Sequence, residues 1–416
     1  MMEYDLNRRD FVKMGAGMVS AIALSPSAVA LMRPLESGEP LPVAVIGVGK
    51  QGRVILGELQ KFPFVQIACV CDSNERRLKS AERRAKGTTG YSDYQELLDK
   101  EKGIKAVFLA TPSHLHTEIA VAVMERGLHL YCEAPIATTI EDAKTIVLAA
   151  KNAKGLFHAG LQLRANPIYD LARSFVLSGA IQDVIALRAQ YHHKSSGRVP
   201  APDASQEREY NWSLYKESSI GLPGEVGIHS FDAINWFIRK RPLSVAGWGG
   251  IMLYDDGREI PDTVQCVLTY PDQVRLLFDA TLANSFDGSY EQFTGTMGTV
   301  KMIGDLGWMF KEADAATQGW EVYAVRQHFH KEAGITLIAN ATKLAKQGKL
   351  KEGVGLEHPE LYYGLQDFLA GIVESKTSTA CPAMAALEST VIAIKTHEAV
   401  MSGKEIELRD EWFELG

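Results

Sequence analysis

Basic residues are in deficit in this chain. Its 44 Lys and Arg are outnumbered by 51 Asp and Glu, which leaves a formal charge of −7. A surface built to meet a phosphate backbone needs clustered Lys and Arg, so the balance argues against a nucleic-acid partner. The Arg-rich stretch "ERRLKSAERRAK" (75–86) carries acids of its own and reads as a solvated helix face. Cysteine is scarce, with 5 in 416 residues. Cys69, Cys71, Cys132, Cys266 and Cys381 form no disulfide framework and no zinc or redox motif. Four of them sit in apolar, strand-like runs, where a thiol behaves as a small hydrophobe. His114-x-His116 and His328-x-His330 lack a third ligand at a recognisable spacing, so no metal is expected. No stretch reaches the ~18 consecutive apolar residues of a membrane span. Internal repeats are absent as well.

What is present begins with an export signature. "NRRDFVK" (7–13) pairs Arg8 and Arg9 ahead of Phe11 and Lys13. A mildly apolar run, "MGAGMVSAIALS" (14–25), follows, and then "SAVA" (27–30), a small-x-small pattern suited to cleavage. In this order the features resemble a twin-arginine signal over residues 1–31, with a Pro-flanked linker over 32–42. The expectation is a periplasmic protein with no stable membrane insertion after the signal is removed.

From residue 43 the texture is that of alternating buried strands and helices. "VAVIGVG" (43–49), "FVQIACVCD" (64–72), "IKAVFLATP" (104–112) and "HLYCEAP" (129–135) are short, β-branched-rich runs that predict strands. "VILGELQKF" (54–62), "SDYQELLDK" (92–100), "HTEIAVAVMERG" (116–127) and "TTIEDAKTIVLAAKNA" (138–153) predict helices between them. In the last, Thr138 with Glu141 or Thr139 with Asp142 offers a capping box. Alternation of this kind implies a parallel, doubly wound sheet over 43–155. From about Gly155 longer alternating strands take over, as in "DVIALRAQYHH" (183–193), "TVQCVLTYPDQVRLLFDATLA" (263–283) and "YEQFTGTMGTVKMIG" (290–304). They predict a second α+β domain over 156–416 with a large, open, mostly antiparallel sheet. "GITLIANATKLAKQ" (334–347) and "AALESTVIAIKTHEAVMSG" (385–403) are expected as late helices.

"GVGKQG" supplies Gly47-x-Gly49-x-x-Gly52 directly after a strand and before a helix. Glycines so placed allow a tight turn and let the backbone approach a pyrophosphate at the helix N-terminus. Asp72 ends the next strand. A carboxylate there accepts from ribose hydroxyls and repels a 2′-phosphate, which favours NAD; Arg76 and Arg77 nearby keep NADP as the minority expectation.

Together with "YSDYQELL", "ATPSHLHTEIAVAVMERGLHLYCEAP", "GLQLRANP", "GEVGIHSFDAINWF", "DGREIPDTV" and "FTGTMGTVKM", the glycine loop makes the chain resemble the glucose–fructose oxidoreductase, inositol dehydrogenase and MocA family over nearly all of 42–400. The resemblance implies an N-terminal Rossmann domain, a C-terminal open-sheet domain that often forms homo-oligomers, and redox chemistry on sugars or cyclitols with NAD or NADP. It also implies residue roles. Thr111, Pro112 and His116 match the loop bordering the nicotinamide. Glu133 and Pro135 frame the position of the family's Glu-Lys-Pro lysine. Gln162 and Arg164 match a polar pair near cofactor and substrate, and His229 matches the active-site histidine. Glu225 stands four residues earlier, on the same face if the segment is helical. The chain departs from the family at Ala134, which occupies the lysine position. Alanine cannot move a proton, so His229 becomes the expected acid–base group, with Glu225 orienting it or acting directly; Tyr191, His192, His193 and Lys194 are secondary candidates. The resulting expectation is an exported oxidoreductase acting on a carbohydrate, with tightly bound and internally recycled cofactor. A redox-neutral NAD-dependent glycosidase or lyase of the same fold is the alternative. A non-catalytic sugar- or NAD-binding protein is the third reading. Tyr210, Trp212, Trp236, Trp248 and Trp320 are candidates to stack on a sugar.

Overall fold

The computed structural model describes residues 30–317, 325–329, 332–338, 347 and 355–415. The proposed signal, with Arg8 and Arg9, lies outside the described residues save for its last two positions, and so do Trp320 and His330.

Two sheets organise the chain. The first is parallel, in the order β3-β2-β1-β4-β5-β6. Its strands are β1 (Leu41–Ile46), β2 (Val65–Cys71), β3 (Thr89–Tyr91), β4 (Ala106–Leu109), β5 (His129–Cys132) and β6 (Phe157–Ala159). The strand order reverses between β1 and β4, and ligands in open α/β sheets bind at the carboxyl ends beside such a switch point. The sheet closes on β6, just beyond residue 155, where the change of texture was placed.

Helices α1 (Lys50–Leu59), α2 (Glu75–Arg84), α3 (Tyr94–Lys100), α4 (His116–Glu125) and α5 (Ile140–Asn152) connect the strands. Their starts follow from local chemistry. Asn74 caps α2 by accepting from Arg77 N, and Asp93 caps α3 by accepting from Gln95 N. At α5 the choice between two capping boxes falls to Thr139, whose Oγ1 accepts from Asp142 N at 3.1 Å. Each such cap satisfies a donor that would otherwise be orphaned, for about 1 kcal/mol.

After α6 (Pro167–Leu177) the chain enters the second sheet, ordered β14-β15-β13-β12-β11-β7-β10-β9-β8-β16. Its strands are β7 (Val184–His192), β8 (Ser244–Gly250), β9 (Thr263–Thr269), β10 (Arg275–Thr281), β11 (Ser289–Gly295), β12 (Gly298–Ile303), β13 (Leu306–Lys311), β14 (Val325–Phe329), β15 (Glu332–Thr336) and β16 (Ile406–Glu407). Every pairing is antiparallel except β7 with β10. Alternation sorts β10 cleanly: Leu276, Phe278 and Ala280 are buried, and Leu277 is exposed. Helix α7 (Ile228–Ile238) lies on the buried face, where Phe231 meets Phe278 edge-on at 4.9 Å and Phe237 stacks on Phe293 at 4.3 Å.

One expected helix is corrected. Gly334, Ile335 and Thr336 belong to strand β15 (Glu332–Thr336), where Ile335 pairs with Met309 and Thr336 with Trp308. β-Branched Ile335 and Thr336, with strand partners on both sides, take strand form over helical spacing in so short a run. Residues 339–346 of that stretch lie outside the described residues. The other late helix forms as α9 (Ala383–Ser402).

Before it, α8 (Glu360–Val373) returns to the first domain. Its Leu361, Leu365, Phe368 and Leu369 share a core with Val43, Val45, Phe108 and Tyr131 of the parallel sheet. Phe108 meets Phe368 edge-on at 5.5 Å, and Phe62 of the α1–β2 connection stacks on Tyr362 at 4.6 Å.

Candidate active site

A cleft of ≈ 1180 Å³ opens at the carboxyl ends of β1, β2, β4 and β5 and runs to the second sheet. Its floor is the glycine loop. Gly47 holds φ +86°, and a Cβ there would fall 2.5 Å from the backbone of Ala110 and Thr111. A Cβ on Gly52 would fall 1.9 Å from the carbonyl oxygen of Gly47. Both glycines therefore serve close packing of loop, helix and strand. Gly49 differs: nothing lies within 4 Å of its Cβ position, and it faces the cleft. The first-turn N–H groups of α1 begin at this open edge, with no side-chain cap. Free donors and the positive helix end make a ready anion site.

Asp72 lies at the end of β2, 8% exposed. Its Oδ2 accepts from Val48 N at 2.9 Å and its Oδ1 from Asn74 N at 2.9 Å. A carboxylate has about four lone-pair sites, so each oxygen keeps one for a ribose hydroxyl. These features fit a dinucleotide: a cradle that rejects a Cβ, unpartnered helix donors and a carboxylate with spare acceptors.

At the far end the cleft is lined by Thr111, Pro112, Glu133, Ala134, Gln162, Glu225 and His229. Three buried polar atoms here have no protein partner: Thr111 Oγ1, Gln162 Oε1 and His229 Nδ1. Unpaired buried groups are costly, and they are what a bound ligand would satisfy. His116 is different. Its Nε2 donates to Thr111 O at 2.9 Å, and burial holds its pKa down to about 4. It is a neutral imidazole that fixes the Thr111 loop.

Glu133 Oε1 accepts from Gln51 Nε2 at 2.9 Å, and a Cβ on Gly160 would press within 2.3 Å of its Oε2. Burial pushes the carboxyl up to about 7. Gln51, one residue before Gly52, was not singled out from the sequence, although its place in the glycine loop was the available signal.

Glu225 sits in a π-helical turn, Pro223–Gly227, that runs directly into α7. Both Glu225 and His229 reach the cleft, as helical spacing of four predicts. Desolvation raises Glu225 to about 7, partly offset by the Ser219 hydroxyl, which donates to Oε1 at 3.4 Å. Desolvation lowers His229, against the pull of nearby Asp232. No described hydrogen bond joins Glu225 to His229, so the orienting contact considered from the sequence is not formed.

Three of the expected residues stand elsewhere. Gly52 and Pro135 support the cleft from behind without lining it. Arg164 points away: its Nε and Nη2 grip Asp232 at 2.8 and 2.9 Å, and Ser389 Oγ donates to the same carboxylate at 2.8 Å. This buried pair ties the end of the first domain to α7 and α9, so Arg164 is a structural residue. Tyr191 on β7 and His193 just after it line the cleft, whereas His192 faces the opposite side of the sheet and bonds Asp279 at 2.5 Å. Among the aromatics, Tyr210 and Trp212 line the cleft. Trp236 is packed between Arg164 and Arg173, and Trp248 is exposed on the open sheet face. Among the described residues no cluster could hold a metal, and no helix is long and apolar enough to cross a membrane.

A glycine cradle at a strand-order switch, a carboxylate at the end of the second strand and an open-sheet second domain define a Rossmann-type dinucleotide-binding oxidoreductase fold. Residues 41–161 match the oxidoreductase family with an NAD-binding Rossmann fold, and residues 169–301 match the GFO/IDH/MocA C-terminal domain. The chain belongs to this family, and its dinucleotide is NAD. It is 28% identical over 170 residues to levoglucosan dehydrogenase of Pseudarthrobacter phenanthrenivorans, covering 41% of this chain and 42% of the relative. It is 26% identical over 261 residues to 2,7-anhydro-N-acetylneuraminate hydratase of Escherichia coli, covering 62% of this chain and 66% of the relative. The chain thus spans less than half of the first relative's length and about two thirds of the second's. Among solved structures, levoglucosan dehydrogenase in complex with NADH and levoglucosan superimposes with a TM-score of 0.69 at 20% identity, covering 89% of this chain and 99% of that one.

Proposed function

We propose that this protein is an exported NAD-dependent oxidoreductase that acts on a sugar or sugar derivative and retains and recycles its cofactor. The observation that carries the reading is Ala134, which lines the cleft beside Glu133 at the position of the family's lysine. NAD, when bound, takes or returns a hydride at a substrate carbon. The proton must then be handled by this chain's own groups. His229, held neutral and with Nδ1 unpartnered, is suited to accept it. Glu225 and Glu133, both pushed to about 7, sit near the pH at which a carboxyl serves as acid or base. Recycling follows from location: an exported enzyme has no cytoplasmic NAD pool to exchange with, so hydride must return to the same or a second substrate. The names of the relatives support a sugar-derived substrate.

Ala134 also favours a second reading, a redox-neutral glycosidase or lyase, and the hydratase relative carries a redox-neutral name. One experiment separates the two. Nucleotide is released from the purified protein and identified, and a glycoside panel is assayed for keto-sugar formation and for cleavage with wild type and Ala134→Lys. The first reading expects NAD, and a variant that keeps or raises keto-sugar formation. Under the second, wild type cleaves glycosides and the new ammonium, buried in the cleft, abolishes cleavage. A protein without bound nucleotide and without either activity sinks both.

Export has its own check. Replacing Arg8 and Arg9 together by Lys is expected to leave the precursor in the cytoplasm; periplasmic recovery of the double variant by fractionation refutes the signal.

A further inference from the structure

Between β7 and the turn that carries Glu225, residues 194–222 form a long connection with only short helical turns, Ala204–Gln206, Glu207–Tyr210 and Trp212–Leu214. It is cross-braced. Asn211, 2% exposed, accepts from Val199 N at 2.7 Å and donates to Val199 O at 2.9 Å. Arg198 pairs with Glu207 and with Asp256, and the buried Arg258 donates to Ser196 O at 2.8 Å. At one end Ser195 and Gly197 line the cleft beside His193. Further along, the segment crosses to the first domain, where the rings of His114 and Trp212 lie 5.9 Å apart.

It then reaches the adenosine end. Asn74 Nδ2 donates to the Tyr210 hydroxyl, and the Arg77 guanidinium lies 4.7 Å from the Tyr210 ring centroid. Asn74 and Arg77 stand just after Asp72, the carboxylate placed for the ribose, so this contact marks where the base end of the dinucleotide belongs.

We infer that Tyr210 is a cofactor-binding residue supplied by the second domain. With Asn74 and Arg77 it walls the adenosine end of the cleft, so NAD leaves only when the strap formed by residues 194–218 lifts. The inference rests on the NAD-retaining reading above and names the element that does the retaining. An aromatic ring is a sequence-tolerant platform for a base, and such contacts act mainly on dissociation. The stacking also commits Arg77, one of the two arginines otherwise available to a 2′-phosphate.

The test is the rate of NADH release from the full-length mature protein, followed by loss of NADH fluorescence after mixing with excess ADP-ribose. Tyr210→Ala is expected to release NADH about tenfold faster or more. Tyr210→Phe keeps the ring and should stay nearer wild type. Arg77→Met, which leaves the Tyr210 backbone untouched, should also speed release and guards against a folding artefact in the strap. Unchanged release in both Tyr210→Ala and Arg77→Met overturns the inference while leaving the retaining enzyme intact. A wild type that exchanges NADH within seconds overturns retention itself, and one that binds no NADH overturns both.

Discussion

His229→Ala is expected to lower turnover of the proposed sugar substrate by about 10²-fold or more and to leave NADH affinity within about twofold. His229 brings a buried, unpartnered ring nitrogen to the reactive end of the cleft. The expected split arises because the proposed role of the imidazole is to act on the proton in flight, whereas the proposed nucleotide contacts are the glycine loop and Asp72. The pH profile carries a second signature. Glu225 remains in the variant, and its carboxyl near 7 should still shape whatever rate survives. Turnover unchanged by the substitution removes His229 from the chemistry and moves the role to Tyr191 or His193, which line the same cleft.

Gly52→Ala is the second large effect. Its Cβ would meet the Gly47 carbonyl oxygen at 1.9 Å, a backbone atom with no freedom to swing aside. The whole loop must shift, and the cradle for the pyrophosphate shifts with it. Affinity for NADH is expected to fall by about 100-fold or more, ~2.8 kcal/mol. Overpacking of this kind should also cost about 1–3 kcal/mol of stability in the nucleotide-free protein. Gly49→Ala is the contrast, since space surrounds its Cβ on the protein side and the intrusion is into the ligand's volume. Titration by fluorescence and melting without nucleotide should show Gly49→Ala losing affinity at an unchanged Tm, and Gly52→Ala losing both. Equal melting temperatures for the two variants would contradict the packing argument.

The parallel sheet was legible because its strands are short, largely buried runs punctuated by glycine, and because a local signal, Gly47 to Gly52 followed by Asp72, points to where a dinucleotide would bind. The reactive end was legible in part. The family resemblance singled out His229, helical spacing set Glu225 on its face, and both line the cleft. Arg164 was not readable: its partner Asp232 lies 68 positions away, and only the folded chain shows the guanidinium turned from the cleft. The pairing of Asn74 with Tyr210 across 136 positions is of the same kind. Local pattern specifies elements; contacts between distant loops are set by how the two sheets meet. The failure at Gly334–Thr336 has another cause, since a short β-branched run takes whichever form its neighbours offer.

Helix α8 bears on how the chain is made. The apolar face formed by Val43, Val45, Phe108 and Tyr131 is sealed by residues that follow β6 by about 200 positions. At ~5–20 residues per second, the ribosome supplies that seal on the order of 10–40 s after the last strand of the parallel sheet. Until then the nascent chain displays a bare hydrophobic surface and offers chaperones a binding site. A fragment ending after β6 would keep that surface permanently, so solubility becomes a property of the completed polypeptide and not of its amino-terminal third.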